Sequence, residues 1–266
     1  MTYPSVLEVT TFTVAAASTA TMLKLLLVTG LLSFTLVDGK QSENATMSSR
    51  FIDSCCDLGY GSFAFSRKTK PSGIYIIPNY CKDDHLKAEA YCDTGNGGGW
   101  LVVQRRKDGS IDFNNTWFEY EDGFGKLTGE FWYGLRALHC ITRQGSWEMR
   151  IDIKYNDGTS NFLQYEQFKV ASAKDNYKLS VGGFHGSTSD YMAYYNGMAF
   201  TTKDVDNDQF NGYNCAITNF GVDRPTGGWW YKSCHSNIMP NMLYTRQTGI
   251  LRNSHFIEIK IKPTSC

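Results

Sequence analysis

Hydrophobic and polar residues alternate without interruption over Trp147–Tyr155, with charged side chains between the hydrophobic ones. This period of two is typical of a β-strand that is buried on one face only. The sequence that follows, Asn156-Asp157-Gly158, predicts a tight turn into a second, antiparallel strand. The same alternation at residues 257–262 predicts a closing strand near the end of the chain.

A glycine-rich segment, residues 97–113, has the sequence GGGWLVVQRRKDGSIDF. Its hydrophobic run and the pair Asp108-Gly109 predict a strand, a hairpin turn and a returning strand. Residues 74–77 are a short hydrophobic run after a Pro-Ser-Gly turn sequence, and they predict another short strand.

A helical period appears where Phe131, Leu135 and Leu138 lie at i, i+4 and i+7, which predicts one short amphipathic helix. The 25 glycines against 6 prolines favour a turn-rich domain with many short strands. We therefore predict an α+β fold, a mostly antiparallel β-sheet with short helices. The 26 basic and 26 acidic residues balance, so charge gives no reason to expect nucleic acid or an anionic membrane as a partner.

Residues 22–37, MLKLLLVTGLLSFTLV, combine an early lysine with a hydrophobic run shorter than the ~20 residues that span a bilayer. This pattern is typical of a secretory signal peptide, and a short signal anchor is the alternative. We expect a leader at residues 1–39, a short polar stalk at 40–54 and a folded domain at 55–266. The protein is therefore predicted to be secreted and extracellular, without insertion in a membrane.

An even number of cysteines follows the leader, which favours disulfides in an exported chain and leaves many pairings open. No Cys-x-x-Cys spacing occurs, which argues against a zinc ribbon or a thioredoxin-like site. Asn44 and Asn114 each begin an Asn-x-Thr sequence and are predicted glycosylation sites. The eight cysteines are Cys55, Cys56, Cys81, Cys92, Cys140, Cys215, Cys234 and Cys266.

Residues 201–254 show hardly any periodic pattern, which argues for a functional or ligand-ordered region. Asp204, Asp206 and Asp208 alternate within it, so their carboxylates can converge in a turning loop. Oxygen ligands at such spacing suit calcium. The loop is not an EF-hand, because glutamine and cysteine stand where that motif needs glycine and glutamate. A solvated acidic turn is the alternative that spacing alone leaves open.

Trp229, Trp230 and Tyr231 precede Cys234 and His235, and these aromatic side chains can line a small pocket. Packing in the core is the alternative for each of them. A catalytic dyad of Cys234 and His235 is disfavoured, because neighbours on an extended chain point apart and an exported cysteine is normally oxidised. A hydrolase therefore lacks a credible nucleophile and base, and we expect no enzyme activity.

Several motifs from about Cys56 to the end of the chain resemble, in the same order, the fibrinogen C-terminal domain family. They are SGIY (72–75), YCD (91–93), GGGW (97–100), QRRKDGSIDF (104–113), GFG (123–125), GEFW (129–132), YYNGMAFTTKDVDND (194–208), NCA (214–216) and GGWWYKSCH (227–235). The resemblance implies a mostly antiparallel sheet followed by a loop-rich subdomain, at about residues 201–254, that calcium and a disulfide order.

In this subdomain the resemblance implies a calcium ion bound by the carboxylates of Asp206 and Asp208. The backbone carbonyls of Phe210 and Gly212 would complete the site, and Asp204 would not touch the ion. An extra residue before Asn214, relative to the family's pattern, can shift a carbonyl ligand.

The resemblance also implies one disulfide between Cys56 and Cys92 and another between Cys215 and Cys234. The other four cysteines lie outside the family's common pattern. We expect them to add disulfides within the domain or to link subunits into a homo-oligomer.

Lectin-like members of the family hold an acetylated group in a pocket beside the calcium, around a cis peptide bond. The bond between Ser233 and Cys234 would be the cis bond here. Residues 237–240, NIMP, depart from the family's usual NLNG, so the opposite wall of the pocket differs. The residues implied to contact the ligand are Ser233, Cys234, His235, Trp229, Trp230 and Tyr231.

The resemblance implies a secreted, calcium-dependent, lectin-like recognition module that binds acetylated or other glycans, such as those of microbial surfaces in innate immunity. The alternative is an extracellular protein-binding ligand or matrix protein of the angiopoietin or tenascin type, which uses the same fold without sugar binding.

Overall fold

The computed structural model describes residues 23–28, 31–36, 51–58, 70–78, 81, 88–217, 227–234 and 253–266. The chain divides into two compact units, Met1–Ser49 and Arg50–Cys266. In the first unit, strands β1 (Leu23–Val28) and β2 (Leu31–Leu36) pair antiparallel within the segment predicted as a leader. The leader, the stalk and the start of the folded domain at Cys55 stay predictions.

A nine-stranded sheet forms the second unit, and its strand pairs are antiparallel, which confirms the predicted fold class. Its strands are β3 (Gly73–Ile76), β4 (Glu89–Asp93), β5 (Trp100–Arg106), β6 (Phe124–Gly125), β7 (Phe131–Trp132), β8 (Trp147–Tyr155), β9 (Ser160–Val170), β10 (Leu179–Gly186) and β11 (Ser254–Pro263). The main path runs β10-β9-β8-β11-β5-β4-β3, and β7 pairs with both β5 and β6.

The hairpin predicted from the alternating pattern is confirmed, since β8 pairs antiparallel with β9. The hydrophobic positions of β8 from Trp147 to Ile153 are buried, and its charged positions lie on the other face. The last strand along the chain, β11, lies in the middle of the sheet between β8 and β5. Alternation alone does not distinguish such a central strand from an edge strand.

In the described part of the chain, two short α-helices, α1 (Trp117–Asp122) and α2 (Leu135–Thr142), accompany the sheet. The helix predicted to include Phe131 begins only at Leu135, because Phe131 pairs with Arg105 of β5 and belongs to β7. Within the described residues, no helix is long and apolar enough to cross a membrane.

The returning strand predicted after Asp108-Gly109 does not form, because a buried carboxylate binds the turn instead. Glu130 accepts four backbone N–H groups at 2.8–3.1 Å, and Arg106 Nη1 donates to it at 2.9 Å. The side chain of Glu130 is fully buried. The donating backbone groups belong to Lys107, Asp108, Gly109 and Ile111.

All eight cysteines form disulfides, which pair Cys55 with Cys92, Cys56 with Cys266, Cys81 with Cys140, and Cys215 with Cys234. The implied pairing of Cys56 with Cys92 is therefore wrong, and Cys55 takes that place. Adjacent residues point in different directions, so the neighbouring Cys56 reaches the C-terminal cysteine instead. No cysteine remains free to link subunits.

Candidate functional site

The predicted calcium loop starts from two buried threonines. Thr201 and Trp229 exchange two backbone hydrogen bonds, at 2.9 and 3.0 Å. Thr202 and Val205 also donate to each other's carbonyl oxygens, at 2.9 and 3.2 Å, which closes a tight turn. These hydrogen bonds therefore anchor the start of the acidic segment to the rest of the domain.

Asp204 and Asn207 attach the loop to neighbouring elements. Asp204 Oδ1 accepts the backbone N–H of Trp117, the first residue of α1, at 2.9 Å. Asn207 Nδ2 donates to the carbonyl of Phe200 at 2.8 Å, and its Oδ1 accepts from Asn176 Nδ2 at 3.1 Å. These bonds give Asp204 a structural role that does not involve an ion.

Asp206 and Asp208 lie side by side, since the backbone N–H of Asp208 donates to Asp206 Oδ1 at 3.3 Å. The two oxygens of Asp208 accept the N–H groups of Phe210 and Cys215, both at 2.8 Å. Burial, together with the negative charge of Asp206, raises the pKa of Asp208. Among the described lysines and arginines, none lies within 4.0 Å of either carboxylate. The negative charge of the pair is therefore not offset by these cations.

The two predicted carbonyl ligands, Phe210 and Gly212, lie on the turn that follows Asp208. Gly212 has a φ of +117°, in the region that favours glycine. The ring of Phe210 stacks on Tyr213, with centroids 6.4 Å apart and an interplanar angle of 23°. Tyr213, the extra residue of this loop, therefore packs against Phe210 of the same turn.

The acidic turn touches the disulfide that joins Cys215 to Cys234. An oxygen of Asp208 lies within 4.8 Å of both sulfur atoms. Because these sulfurs are bonded to each other, they are not thiolate ligands for a metal. The contact links Asp208 to the segment 227–234, so a change at the carboxylates can be transmitted to that segment.

The aromatic residues predicted to line a sugar pocket are buried in the core instead. Trp229, Trp230 and Tyr231 are at most 2% exposed. Trp230 Nε1 donates to the carbonyl of Tyr177 at 2.7 Å, and the Tyr231 hydroxyl donates to the carbonyl of Gly227 at 2.6 Å. Their prediction as ligand contacts is therefore wrong, since core packing accounts for all three.

Of the other implied pocket residues, Cys234 is buried and Ser233 is half-buried. No cis peptide bond occurs among the described residues, so the expected cis bond between Ser233 and Cys234 is wrong. His235 and the departure at residues 237–240 lie outside the described residues. The residues that the structure describes therefore do not form the sugar pocket that the resemblance implies.

Three exposed hydrophobic residues, Tyr194, Tyr213 and Ile217, lie close to this disulfide, and we call them the disulfide patch. Tyr213 and Ile217 are each two residues from Cys215, and Tyr194 contacts Ser233 beside Cys234. Their exposed fractions are 42%, 58% and 51%. The hydroxyl of Tyr194 lies 2.7 Å from Ser233 Oγ, next to Cys234, and Lys232 Nζ lies 5.3 Å from the Tyr194 ring centroid. Such amphipathic aromatic residues are enriched in binding interfaces.

Sequence reasoning missed the disulfide patch because no local signal marks it. Tyr194 and Tyr195 are adjacent, yet Tyr195 is buried edge-on to Trp229, at a centroid distance of 6.1 Å and an interplanar angle of 89°. Only the three-dimensional path of the chain decides which of the two tyrosines faces solvent.

The two glycosylation sites stay predictions. Asn114 is half-buried, and Thr116 of the same acceptor sequence begins α1 as its N-cap, with its hydroxyl hydrogen-bonded to Glu119 at 2.8 Å. Asn44 lies outside the described residues.

The sheet, the disulfides and the acidic loop define a disulfide-stabilised α+β domain with an exposed patch suited to binding. Residues 62–255 match the family described as fibrinogen beta and gamma chains, C-terminal globular domain. Because the match covers more than half of the chain, the protein belongs to this family, which confirms the resemblance of its motifs. Membership supports the expectation that it is not an enzyme.

Relatives of known name share this domain. Tenascin-R of Rattus norvegicus is 38% identical over 204 residues, which cover 72% of this chain and 14% of tenascin-R. Fibrinogen-like protein 1 of the same species is 39% identical over 189 residues, which cover 66% of this chain and 57% of the relative. The chain therefore spans less than two thirds of the length of both relatives.

Among solved structures, the fibrinogen-like globe domain of human ANGPTL2 matches with a TM-score of 0.65 and 30% identity. The match covers 79% of this chain and 98% of that domain. The likeness therefore extends over nearly the whole of a solved fibrinogen-like domain.

Proposed function

We propose that the protein is secreted and acts outside the cell, where its fibrinogen-like domain binds another protein through the disulfide patch. The observation that carries this proposal is the exposure of Tyr194, Tyr213 and Ile217 around one disulfide. Secretion is supported by the leader sequence and by the pairing of all eight cysteines, since disulfides persist in oxidising compartments.

Protein binding is favoured over binding of an acetylated glycan because of where the aromatic side chains lie. The sugar pocket that the resemblance implies would need Trp229, Trp230 and Tyr231 to reach the ligand, whereas all three are buried. Tyrosines on an open surface are instead typical anchors of protein interfaces. The similarity to tenascin-R and to the ANGPTL2 domain agrees with this class of partner.

We further propose that calcium holds the disulfide patch in place through Asp206 and Asp208. The residues fit this ion, because two adjacent carboxylates that no described cation offsets offer hard oxygen ligands. A carboxylate has about four lone-pair sites, so the N–H bonds to Asp208 leave room for an ion. The carbonyls of Phe210 and Gly212 are the additional ligands that we propose, and bound calcium would supply positive charge to a repulsive pair.

Calcium affinity should fall as the pH is lowered, because protons compete for Asp208. Its pKa is raised in the folded chain, so the protonated form is stabilised by folding. The stability that folding gains from the raised pKa of Asp208 is fully present below the pKa that this residue has in the unfolded chain. It is lost as the pH rises through the pKa that the residue has in the folded chain. Calorimetric titrations with calcium at about pH 7 and about pH 5 should show weaker binding at the lower pH. A calcium affinity that is equal at both values would contradict the assignment of Asp208.

Truncation of the disulfide patch should weaken partner binding without unfolding the domain. We expect Tyr213→Ala with Ile217→Ser to reduce binding to its protein partner by about tenfold or more, as anchor residues do. Phe118→Ala is the matched control, because Phe118 is 62% exposed on α1, outside the patch.

Binding can be measured against a panel of purified extracellular and cell-surface proteins, beside an array of acetylated and non-acetylated glycans. Protein binding that the patch variant loses and the Phe118→Ala variant keeps supports the proposal. Calcium-dependent binding of acetylated glycans alone, with no protein ligand, would show that the lectin-like alternative is correct. Protein binding that is unchanged in the patch variant would place the interface elsewhere.

A further inference from the structure

The open face of the sheet carries a broad groove of about 820 Å³. Strands β4, β5, β8, β9 and β11 form it, together with adjoining loops. Its volume is within the range of about 300–1,000 Å³ that is typical of ligand pockets. The described residues of 201–217 and 227–234 take no part in its lining, so the groove is separate from the calcium loop.

Charged side chains cover the floor of the groove in an unusual order. Arg150 lies opposite Lys260, and Asp152 lies opposite Glu258, so like charges face each other across β8 and β11. Such cross-strand pairs are unfavourable by themselves. Lys260 is 1% exposed and bridges Asp93 at 2.5 Å and Asp152 at 2.6 Å, while Arg150 Nε binds Asp152 at 2.8 Å. The ion pairs thus fix the charges of the floor in position.

Arg105 keeps one donor group available on this fixed floor. Its Nε binds Glu258 at 2.7 Å, its Nη1 donates to the carbonyl of Leu127 at 3.0 Å, and its guanidinium lies 4.0 Å from the centroid of the Tyr91 ring. Its Nη2 has no acceptor among the described residues. The guanidinium is therefore held in place with one edge unused.

Two further cations lie on β8. Arg150 Nη1 donates to Gln164 at 3.1 Å and its guanidinium stacks on the Phe162 ring at 4.1 Å, while its Nη2 has no acceptor in the described part of the chain. Lys154 is exposed, lies 4.9 Å from the centroid of the Phe256 ring, and has no described carboxylate within 4.0 Å. These groups can take ligand oxygens without giving up an ion pair.

The lining is cationic and rich in hydroxyl and amide groups. The planar fork of arginine suits sulfate and carboxylate groups. Because β8 and β11 are paired on both sides, the floor has no open edge on which a peptide could add a strand. The charged lining residues are Arg105, Lys107, Arg150, Lys154 and Lys260 against Asp93, Asp152 and Glu258, and the neutral polar ones include Asn96, Thr128, Ser160, Asn161 and Ser187.

We propose that this groove binds an oligosaccharide that carries sulfate or carboxylate groups, independently of calcium. The unused edges of Arg105 and Arg150 and the ammonium group of Lys154 take the anionic groups. Hydroxyl and amide side chains along the walls take the sugar hydroxyls. The groove is distinct from the disulfide patch, so the proposal for one of these two sites can be wrong while the proposal for the other holds.

The binding affinity of the protein for each of four probes, measured by titration at low ionic strength, tests this site. The probes are a heparin hexasaccharide, a hyaluronan hexasaccharide, an uncharged N-acetylglucosamine hexamer and hexaglutamate. We expect one or both anionic sugars to bind, in calcium and in chelator alike, and to bind more weakly as salt rises. Lys154→Gln should weaken binding about threefold to fivefold, and the double change Arg150→Lys, Lys154→Gln about tenfold or more. Lys174→Gln is the matched control, because Lys174 is exposed outside the groove.

Lys154→Gln carries the test if the double variant fails to fold, since Lys154 is exposed and makes no ion pair among the described residues. The proposal is overturned if neither anionic sugar binds, or if Lys154→Gln and wild type bind alike. Equal binding of hexaglutamate would overturn the assignment to a sugar, and equal binding of the uncharged hexamer would overturn the need for an anion. Loss of binding in chelator would place the ligand at the calcium loop.

Discussion

The substitution Glu130→Gln should lower the free energy of unfolding by about 3–5 kcal/mol. The carboxylate of Glu130 is fully buried, accepts four backbone N–H groups and pairs with the buried guanidinium of Arg106. A neutral amide removes the charge that balances Arg106 and turns one acceptor into a donor that faces N–H groups. Urea unfolding of the purified domain measures the loss.

The matched control for this prediction is Glu166→Gln, because Glu166 is exposed on β9. We expect the control to change the free energy of unfolding by no more than about 0.5 kcal/mol. A loss of less than about 1 kcal/mol in Glu130→Gln would contradict the central role that we give to this carboxylate in holding the turn after β5.

The part of the fold that could be predicted rests on local patterns. The alternation in β8 and the Asn156-Asp157-Gly158 turn act over a few residues, so the hairpin with β9 could be predicted. The strand expected after Asp108 could not be excluded from sequence, because the turn is bound by Glu130, which lies 21 residues beyond Gly109 along the chain. Long-range contacts of this kind leave no periodic signal.

The candidate site was predictable to a similar extent. The motifs place Asp206 and Asp208 together, and in the structure the negative charge of Asp206 acts on the carboxyl group of Asp208 and helps to raise its pKa. Burial could not be predicted in the same way, because adjacent aromatic residues have the same sequence signature in a pocket and in a core. Trp230 is buried because Phe200 and Trp132 pack against it, at centroid distances of 5.0 and 6.2 Å.

The double substitution Asp206→Asn, Asp208→Asn should reduce calcium affinity by about a hundredfold or more, since the number of ligand charges sets the affinity of such sites. Both carboxylates lose their charge. The asparagine at 206 can still accept the N–H of Asp208, whereas the asparagine at 208 keeps one oxygen for only one of the N–H groups of Phe210 and Cys215. The loop therefore loses one hydrogen bond, whereas the ion loses both of its charged ligands, so the loss of calcium affinity should be much larger than the loss of loop stability. Calorimetric titration with calcium measures the change.

Asp204→Asn is the control for the double variant, because Asp204 binds the N–H of Trp117 and its amide replacement can accept the same bond. We expect this control to bind calcium as the wild type does. Equal calcium affinity in the double variant and in the wild type would contradict the assignment of the ion to Asp206 and Asp208.

Hydrogen exchange of the wild-type domain, measured with calcium and with a chelator, tests directly whether calcium orders the acidic loop and the segment joined to it by the disulfide. An ion that binds only the ordered loop stabilises it by an amount that grows with the logarithm of its concentration over its dissociation constant. We expect slower exchange in residues 204–217 and in the linked segment 227–234 when calcium is present, with β8 unchanged. Exchange that is the same in both conditions, at calcium concentrations up to the millimolar range of extracellular sites, would contradict this expectation.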